Sequence, residues 1–493
     1  MCGRINMATA IRSKSIFRYI SKFNGRTSNR SMAQVPSPEP VRLDGRKLEG
    51  GGQLVRIAIA LSALTGQPLE IEHIRGNRSG KKGLKASHMA AVQTLGQLSG
   101  SRLIKAQVGS CSLGFYPPSH DQGETRRTNT DINIRLPTPG SVFLVFQALY
   151  PYLLYTPTDD QVRLSIIGGT NVSSSPSYDY VSQVLIPNFA HVGLPPLSVR
   201  LEKRGWASGH GQVQMGKMMF VIDPLRRATG GSPRAELPSI DLHRHQRGKI
   251  SQIDITILAP DDHLVAVDGD LPRGSRHDDH KAAEPGADQA ETVREFLERQ
   301  VYRVLRKRLK EIPLSVFSPE PSPENSTSES VPIRTHTTEA THSRSCMYVL
   351  IVAHLSTGFK IGRDALHGSL KQQPKEQPKT KKRQGKNKPR DDMVSRVNGL
   401  VDECVENFIR ELYDTGMQTT TDLPGAARHQ PCVDEYMRDQ LVVFEALGKS
   451  SETQKRQESE SHEDERYWSL HTQTAQWVCR QMLGEGFPRI NLE

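Results

Sequence analysis

Apolar and polar positions alternate between two periods along the first half of the chain. The run LVRIAIALSAL at Leu54–Leu64 predicts an apolar helix that opens just after three glycines. Pro68–Ile74 (PLEIEHI) alternates as a strand does, and His88–Leu98 (HMAAVQTLGQL) carries apolar residues at helical spacing. Arg102–Val108 and Asp131–Leu136 read as strands, and Ser141–Leu154 as a strongly apolar helix. Val162–Ile167 reads as a strand running into Gly168–Gly169, Tyr178–Phe189 as a helix and Leu197–Lys203 as a strand. Strand, glycine turn and helix thus recur in units of roughly 60–80 residues. The fold class expected is α+β, with α/β-like alternation, built from repeated sheet-plus-two-helix units.

Past Asp223 the texture changes. Residues 224–237, 270–290 and Ser318–Ser345 lack periodicity, and Gln372–Arg390 is Lys-rich with no apolar residue. Such stretches bury too little surface to order themselves. Between them lie Ile250–Leu258, Glu291–Leu309, Met347–His354 and Val394–Leu412, a strand, helix, strand, helix series. Helices follow at Cys432–Leu447 and Thr474–Leu483. This organises the chain as a basic arm over 1–40, a core over 41–238, and an inserted small domain over 239–393. The small domain carries loops at about 270–290, 318–345 and 370–392, and the core resumes over 394–493.

Composition narrows the partners. Of 493 residues only 35% are hydrophobic, against roughly 45–50% in ordinary globular chains, so part of the length is solvated loop. A net charge of +11 suits a polyanionic partner, or equally disordered basic tails. The six cysteines form no CxxC pair, which argues against a zinc ribbon or disulfide scaffold and suits a reducing compartment. No apolar run approaches the roughly 20 residues that span a bilayer, so no membrane is expected. The first 38 residues hold no Asp or Glu while carrying Arg4, Arg12, Lys14, Arg18, Lys22, Arg26 and Arg30. That is the composition of a mitochondrial presequence or of a basic arm. The run Lys381–Arg390 has the character of a nuclear signal, so the nucleus is expected, with the mitochondrion as the alternative.

Five segments carry candidate chemistry. In LEGGGQLVR, Gly50, Gly51 and Gly52 free the backbone to approach a phosphate at a helix N-terminus, and Glu49 could hold a divalent cation. IRGNRSGKKGLKASH sets Arg75, Arg78, Lys81, Lys82 and Lys85 among glycines, and arginine forks suit a terminal phosphate. GGTNVSSSPSYDY is a hydroxyl-rich glycine turn after a strand. In VDEYMRDQL, Tyr436, Asp439 and Gln440 fall at i, i+3 and i+4, on one helix face that could recognise a base. In SLHTQ, His471 immediately precedes a helix that Thr472 and Thr474 could cap, where its neutral, nucleophilic form is favoured. Taken alone, each of the five fits an ordinary turn, a charged loop, a solvated face or a surface histidine better than a site.

Together and in this order they resemble a family. LDGRKLEGGGQLVRIAIALSALTGQP, IRGNRSGKKGLKASHMAAVQ, PGSVFLVFQALYPYLL, GGTNVSSSPSYDYVSQVLIP, KRGW, VDEYMRDQL and SLHTQTA are similar to blocks of the RNA 3'-terminal phosphate cyclases of eukaryotic, fungal type. The resemblance runs from about Leu43 to the C-terminus. It implies three repeated units, each a four-stranded sheet with two helices, plus a small inserted domain of thioredoxin-like topology. It implies ATP and a divalent metal, Mg or Mn, and an RNA partner bearing a 3'-phosphate, with no stable protein partner. By position, His471 matches the nucleophile that takes AMP, and Glu49 the metal-binding glutamate. Gln53, Arg75, Arg78 and His88 match residues that handle the 3'-phosphate and the nucleotide. Gly50, Gly51, Gly52, Gln147, Tyr436, Asp439 and Gln440 match the nucleotide site.

The activity implied converts an RNA 3'-phosphate to a 2',3'-cyclic phosphate through a histidine–AMP adduct. The alternative is an inactive cyclase-like protein of ribosome assembly, but such relatives lack the histidine that His471 supplies. Departures from the family pattern include SGKKGLKASH, without the usual proline and with Ser87 where glutamine is common, and ASGHGQV after KRGW.

Overall fold

The computed structural model describes residues 38–78, 80–118, 129–208, 213–225, 237–264, 291–318, 331–368, 393–413, 431–448 and 469–484. The expected N-terminal arm and the expected loops at 270–290 and 370–392 fall almost wholly outside these residues, as does most of 224–237.

Two sheets share one connectivity. The first is built from β1 (Val41–Asp44), α1 (Gly52–Thr65), β2 (Leu69–Glu72), α2 (Ala86–Ser99), β3 (Arg102–Ile104) and β4 (Leu113–Tyr116). Its strand order is β1-β2-β4-β3, with β1 and β2 parallel and the other pairs antiparallel. The second unit comprises β5 (Asp131–Arg135), α3 (Val142–Leu154), β6 (Val162–Gly168), a helical segment, β8 (Leu197–Lys203) and β10 (Gly216–Ile222). It repeats the pattern as β5-β6-β10-β8, again with the first pair parallel. Between β6 and β8 the short strand β7 (Asn171–Val172) pairs with β9 (Trp206–Ala207), which lies just after β8. The helical segment is α4 (Tyr178–Tyr180), a π-turn at Val181–Leu185 and α5 (Ile186–His191), so the helix expected at Tyr178–Phe189 is present with a widened middle.

The third sheet is wired differently. It holds β11 (Ile250–Pro260), α6 (Val293–Leu309), β12 (Ile333–Thr341), β13 (Tyr348–Leu355), β14 (Lys360–Leu366) and α7 (Met393–Leu412). Its order is β12-β11-β13-β14. The stretch 318–345, expected to be loop, contains β12, which pairs parallel to β11 at the sheet edge. IRTHTTEAT buries no residue fully, so its composition resembles solvated loop, while its threonines favour the extended backbone. Helix α7 packs on α6, β13 and β14.

Helices α8 (Glu435–Gly448) and α9 (Leu470–Leu483) close the described chain. They pack on one another, and α9 packs on α1, which also meets α2 and α3. Every residue of α1 from Gln53 to Ser62 is buried, as a helix apolar on all sides requires. The described residues from Glu39 onward form one compact unit. The described residues contain no four-stranded sheet beyond these three, and no helix long and apolar enough to cross a membrane.

Candidate functional site

Burial of α1 between α3 and α9 brings the glycine loop, α3, α8 and the start of α9 to one cavity of about 360 Å³. Its wall includes Gln53, Arg56, Gln147, Tyr436, Asp439, Gln440 and His471. The volume is at the lower end of the range for small-molecule sites.

His471 occupies the second position of α9, so it lies inside the helix and not before it. The cap is Ser469, whose Oγ accepts from Thr472 N at 3.2 Å. The expectation that Thr472 and Thr474 cap the helix is therefore corrected. Thr474 instead turns its hydroxyl back to Leu470 O at 2.7 Å and accepts from Glu49 N at 3.2 Å. A serine two residues before the histidine thus satisfies one of the free N–H groups of the first turn.

The His471 ring faces two oxygens through one nitrogen. Nδ1 lies 2.9 Å from Gln53 Oε1 and 3.4 Å from Glu49 Oε2. The first is a hydrogen bond and the second a looser contact. Both atoms are acceptors, so the ring proton belongs on Nδ1 and the lone pair on Nε2. Burial lowers the ring's pKa, and Arg78 and Arg56 push the same way against the opposing charge of Asp439. The side chain remains half exposed, at 51%. It is thus a neutral imidazole with an open nitrogen.

Glu49 is buried, with one carboxylate oxygen in an ion pair with Arg78 and Oε2 lacking a hydrogen-bond partner. The glycines make room for this carboxylate. Gly50 adopts a φ of +58°, and a methyl on Gly51 would overlap the Glu49 carboxylate. Among the described residues no three His, Cys, Asp or Glu side chains cluster to hold a metal. One orphaned carboxylate oxygen suits a hard cation whose remaining ligands come from phosphates and water.

Behind the glycine loop stands His88, buried at 5% exposure, its pKa depressed to about 3 by burial and by Arg56, Arg75 and Lys85. Its Nδ1 accepts from Lys85 N at 3.2 Å, which places the proton on Nε2. A methyl at Gly52 would overlap that Nε2 and Arg56. Arg75 N donates to Gly50 O at 2.9 Å, tying the arginine loop to the glycine loop.

Arg56 was missing from the expected site. It is buried in α1, and its Nε donates to Gln147 Oε1 at 2.6 Å. Gln147 Nε2 donates in turn to Gln440 Oε1 at 2.7 Å, and Gln440 donates to Asp439. Burial lowers the Arg56 pKa to about 10, partly offset by Asp439, and raises that of Asp439 to about 6. The sequence signal was the single charge inside LVRIAIALSAL. Tyr436 lines the cavity with its ring 4.3 Å from the Arg363 guanidinium, and Ser173–Ser177 of the hydroxyl-rich turn line the same wall.

The cavity thus joins a half-exposed histidine to a glycine loop and a chain of buried polar side chains. The sequence profile described as RNA 3'-terminal phosphate cyclase matches residues 47–488, and the chain belongs to that family. Over 188 residues it is 38% identical to the RNA 3'-terminal phosphate cyclase of Desulfurococcus amylolyticus, covering 38% of this chain and 50% of that one. The same-named protein of Methanosarcina mazei is 35% identical over 202 residues, or 40% of this chain and 53% of that one. That of Pyrococcus furiosus is 37% identical over 223 residues, 43% of this chain and 62% of that one. The matched stretch thus spans about half the length of these relatives.

Proposed function

We propose that the protein is an ATP-dependent RNA 3'-terminal phosphate cyclase that works through an AMP adduct on His471. The observation that carries this reading is the state of the His471 ring. Gln53 Oε1 holds Nδ1 with the Glu49 carboxylate close by, and Nε2 is left as the basic nitrogen of a ring on the cavity wall.

In the first step Nε2 attacks the α-phosphorus of ATP and pyrophosphate leaves. The ring gains positive charge, which Gln53 Oε1 and Glu49 offset at Nδ1–H. In the second step an oxygen of the RNA 3'-phosphate attacks the same phosphorus. The P–N bond breaks and His471 recovers its lone pair. In the third step the vicinal 2'-hydroxyl loses its proton, attacks the 3'-phosphorus and expels AMP. Adenylation matters because a phosphate monoester has no good leaving group of its own.

Arg75, Arg78 and the Nε2–H of His88 suit the binding of the RNA phosphate and of the transferred group. Arg56, Gln147, Tyr436, Asp439 and Gln440 form the adenylate side of the pocket. Glu49 would hold a divalent cation, Mg or Mn, together with nucleotide phosphates, and that cation would neutralise phosphoryl oxygens.

An RNA carrying a labelled 3'-terminal phosphate tests the reading. Incubation with the protein, ATP and a divalent cation should convert the label to a phosphatase-resistant form. A label that remains fully phosphatase-sensitive would overturn it.

A further inference from the structure

The last two turns of α6 and its C-cap, Lys310, carry a charge surplus that the proposed site does not use. Arg303, Arg306, Lys307 and Lys310 fall at i, i+3, i+4 and i+7, so they share one face, and all four are exposed. The face lies opposite the buried residues Leu297, Val301 and Leu305. Other cations of α6 are matched by carboxylates: Arg294 by Asp261, Arg299 by Glu291, Arg308 by Glu311 and Glu406. Among the described residues no carboxylate pairs with any of these four. Arg303 bonds to Gln300, and Arg306 sits 5.6 Å over the Tyr302 ring. Cations in a final helical turn complement the helix dipole, but Arg303 is too far from the end for that.

The face also has a position relative to the cavity. Helix α6 packs on α7 and is pinned to it by Arg308 and Glu406 at 2.8 Å. Helix α7 presents Glu403 and Asn407 to the cavity. With packed helices 8–10 Å apart, the basic face stands on the order of 20 Å from the cavity wall. A nucleic-acid strand rises about 3.4 Å per nucleotide, so about six nucleotides cover that distance.

We propose that this face of α6 is a docking surface for the body of the RNA strand whose 3'-end occupies the cavity, binding its phosphodiesters without reading sequence. The inference rests on the cyclase reading for the choice of strand end. It commits to RNA because four exposed cations at helical spacing, unmatched by carboxylates, suit a regularly charged polyanion.

The test uses the full chain with Arg303→Gln, Arg306→Gln, Lys307→Gln and Lys310→Gln combined. Binding of 3'-phosphorylated single-stranded RNA is measured against salt for a dinucleotide and a twenty-nucleotide strand. Four lost phosphate contacts should flatten the log–log salt slope for the long strand by about 3. Affinity for the dinucleotide and covalent labelling by ATP should stay as in wild type. An unchanged slope for the long strand overturns the proposal, as does loss of affinity for polyglutamate in place of RNA. Wild-type protein that binds long RNA through this face yet takes no label from ATP would instead sink the cyclase reading alone.

Discussion

A guanidinium buried in an apolar helix is unfavourable unless neighbours offset it, and Arg56 is offset by Gln147 and Asp439. Its place was visible as one charge in an apolar run. Its partners were not, because they come from α3 and α8. The same holds for His471, whose character is set by Gln53 and Glu49, far away in the chain. Local context placed the histidine near a helix start. Only the fold supplies the oxygens that decide its tautomer. His88 permits a test at this scale. Its folded pKa of about 3 lies below its ordinary 6.5. Its contribution to stability is therefore complete above pH 6.5 and is lost as pH falls toward 3, where the unfolded chain takes up a proton and the native state does not. Melts recorded from about pH 7 to about pH 4 should show wild type losing on the order of 3 kcal/mol more than His88→Asn. Equal losses in both would contradict the buried, neutral ring.

Elements with a strong period were legible. Helices α1, α2 and α3 and strands β2, β5, β6 and β8 lie where the pattern puts them. Others were hidden by composition. β10 (GKMMFVI) is the inner strand between β6 and β8, but it is nearly continuously apolar, which periodicity does not separate from a helix segment. β12 was hidden for the opposite reason, since an edge strand with both faces largely solvated needs no apolar alternation. The π-turn at Val181–Leu185 has no sequence signature of its own. At α9 the cap is the testable feature. Ser469→Ala should remove the bond to Thr472 N and cost about 1 kcal/mol in denaturant unfolding. A variant as stable as wild type would show that Ser469 does not hold the helix that carries His471.

At the scale of the molecule, the repeated connectivity of the first two sheets gives the site its frame. Each unit sends its first helix inward, and α1 and α3 meet so that Arg56 and Gln147 join across the contact. The third sheet is tied to the second unit by Arg204, which bonds Asp179 of α4 and Glu339 of β12. Residues of the third sheet and α7, Tyr348, Asp364 and Glu403 among them, line the cavity beside those of the repeated units. Strand and helix alternation made the α+β class readable from the sequence. The pairing across α4 and β12 was not, since it joins residues with no shared local pattern. The most direct test of the account is covalent. Incubated with α-labelled ATP and a divalent cation, the protein should take up acid-labile label mapping to the peptide that contains His471, and His471→Ala should take up none. Label on another residue, or undiminished label on the variant, would contradict it.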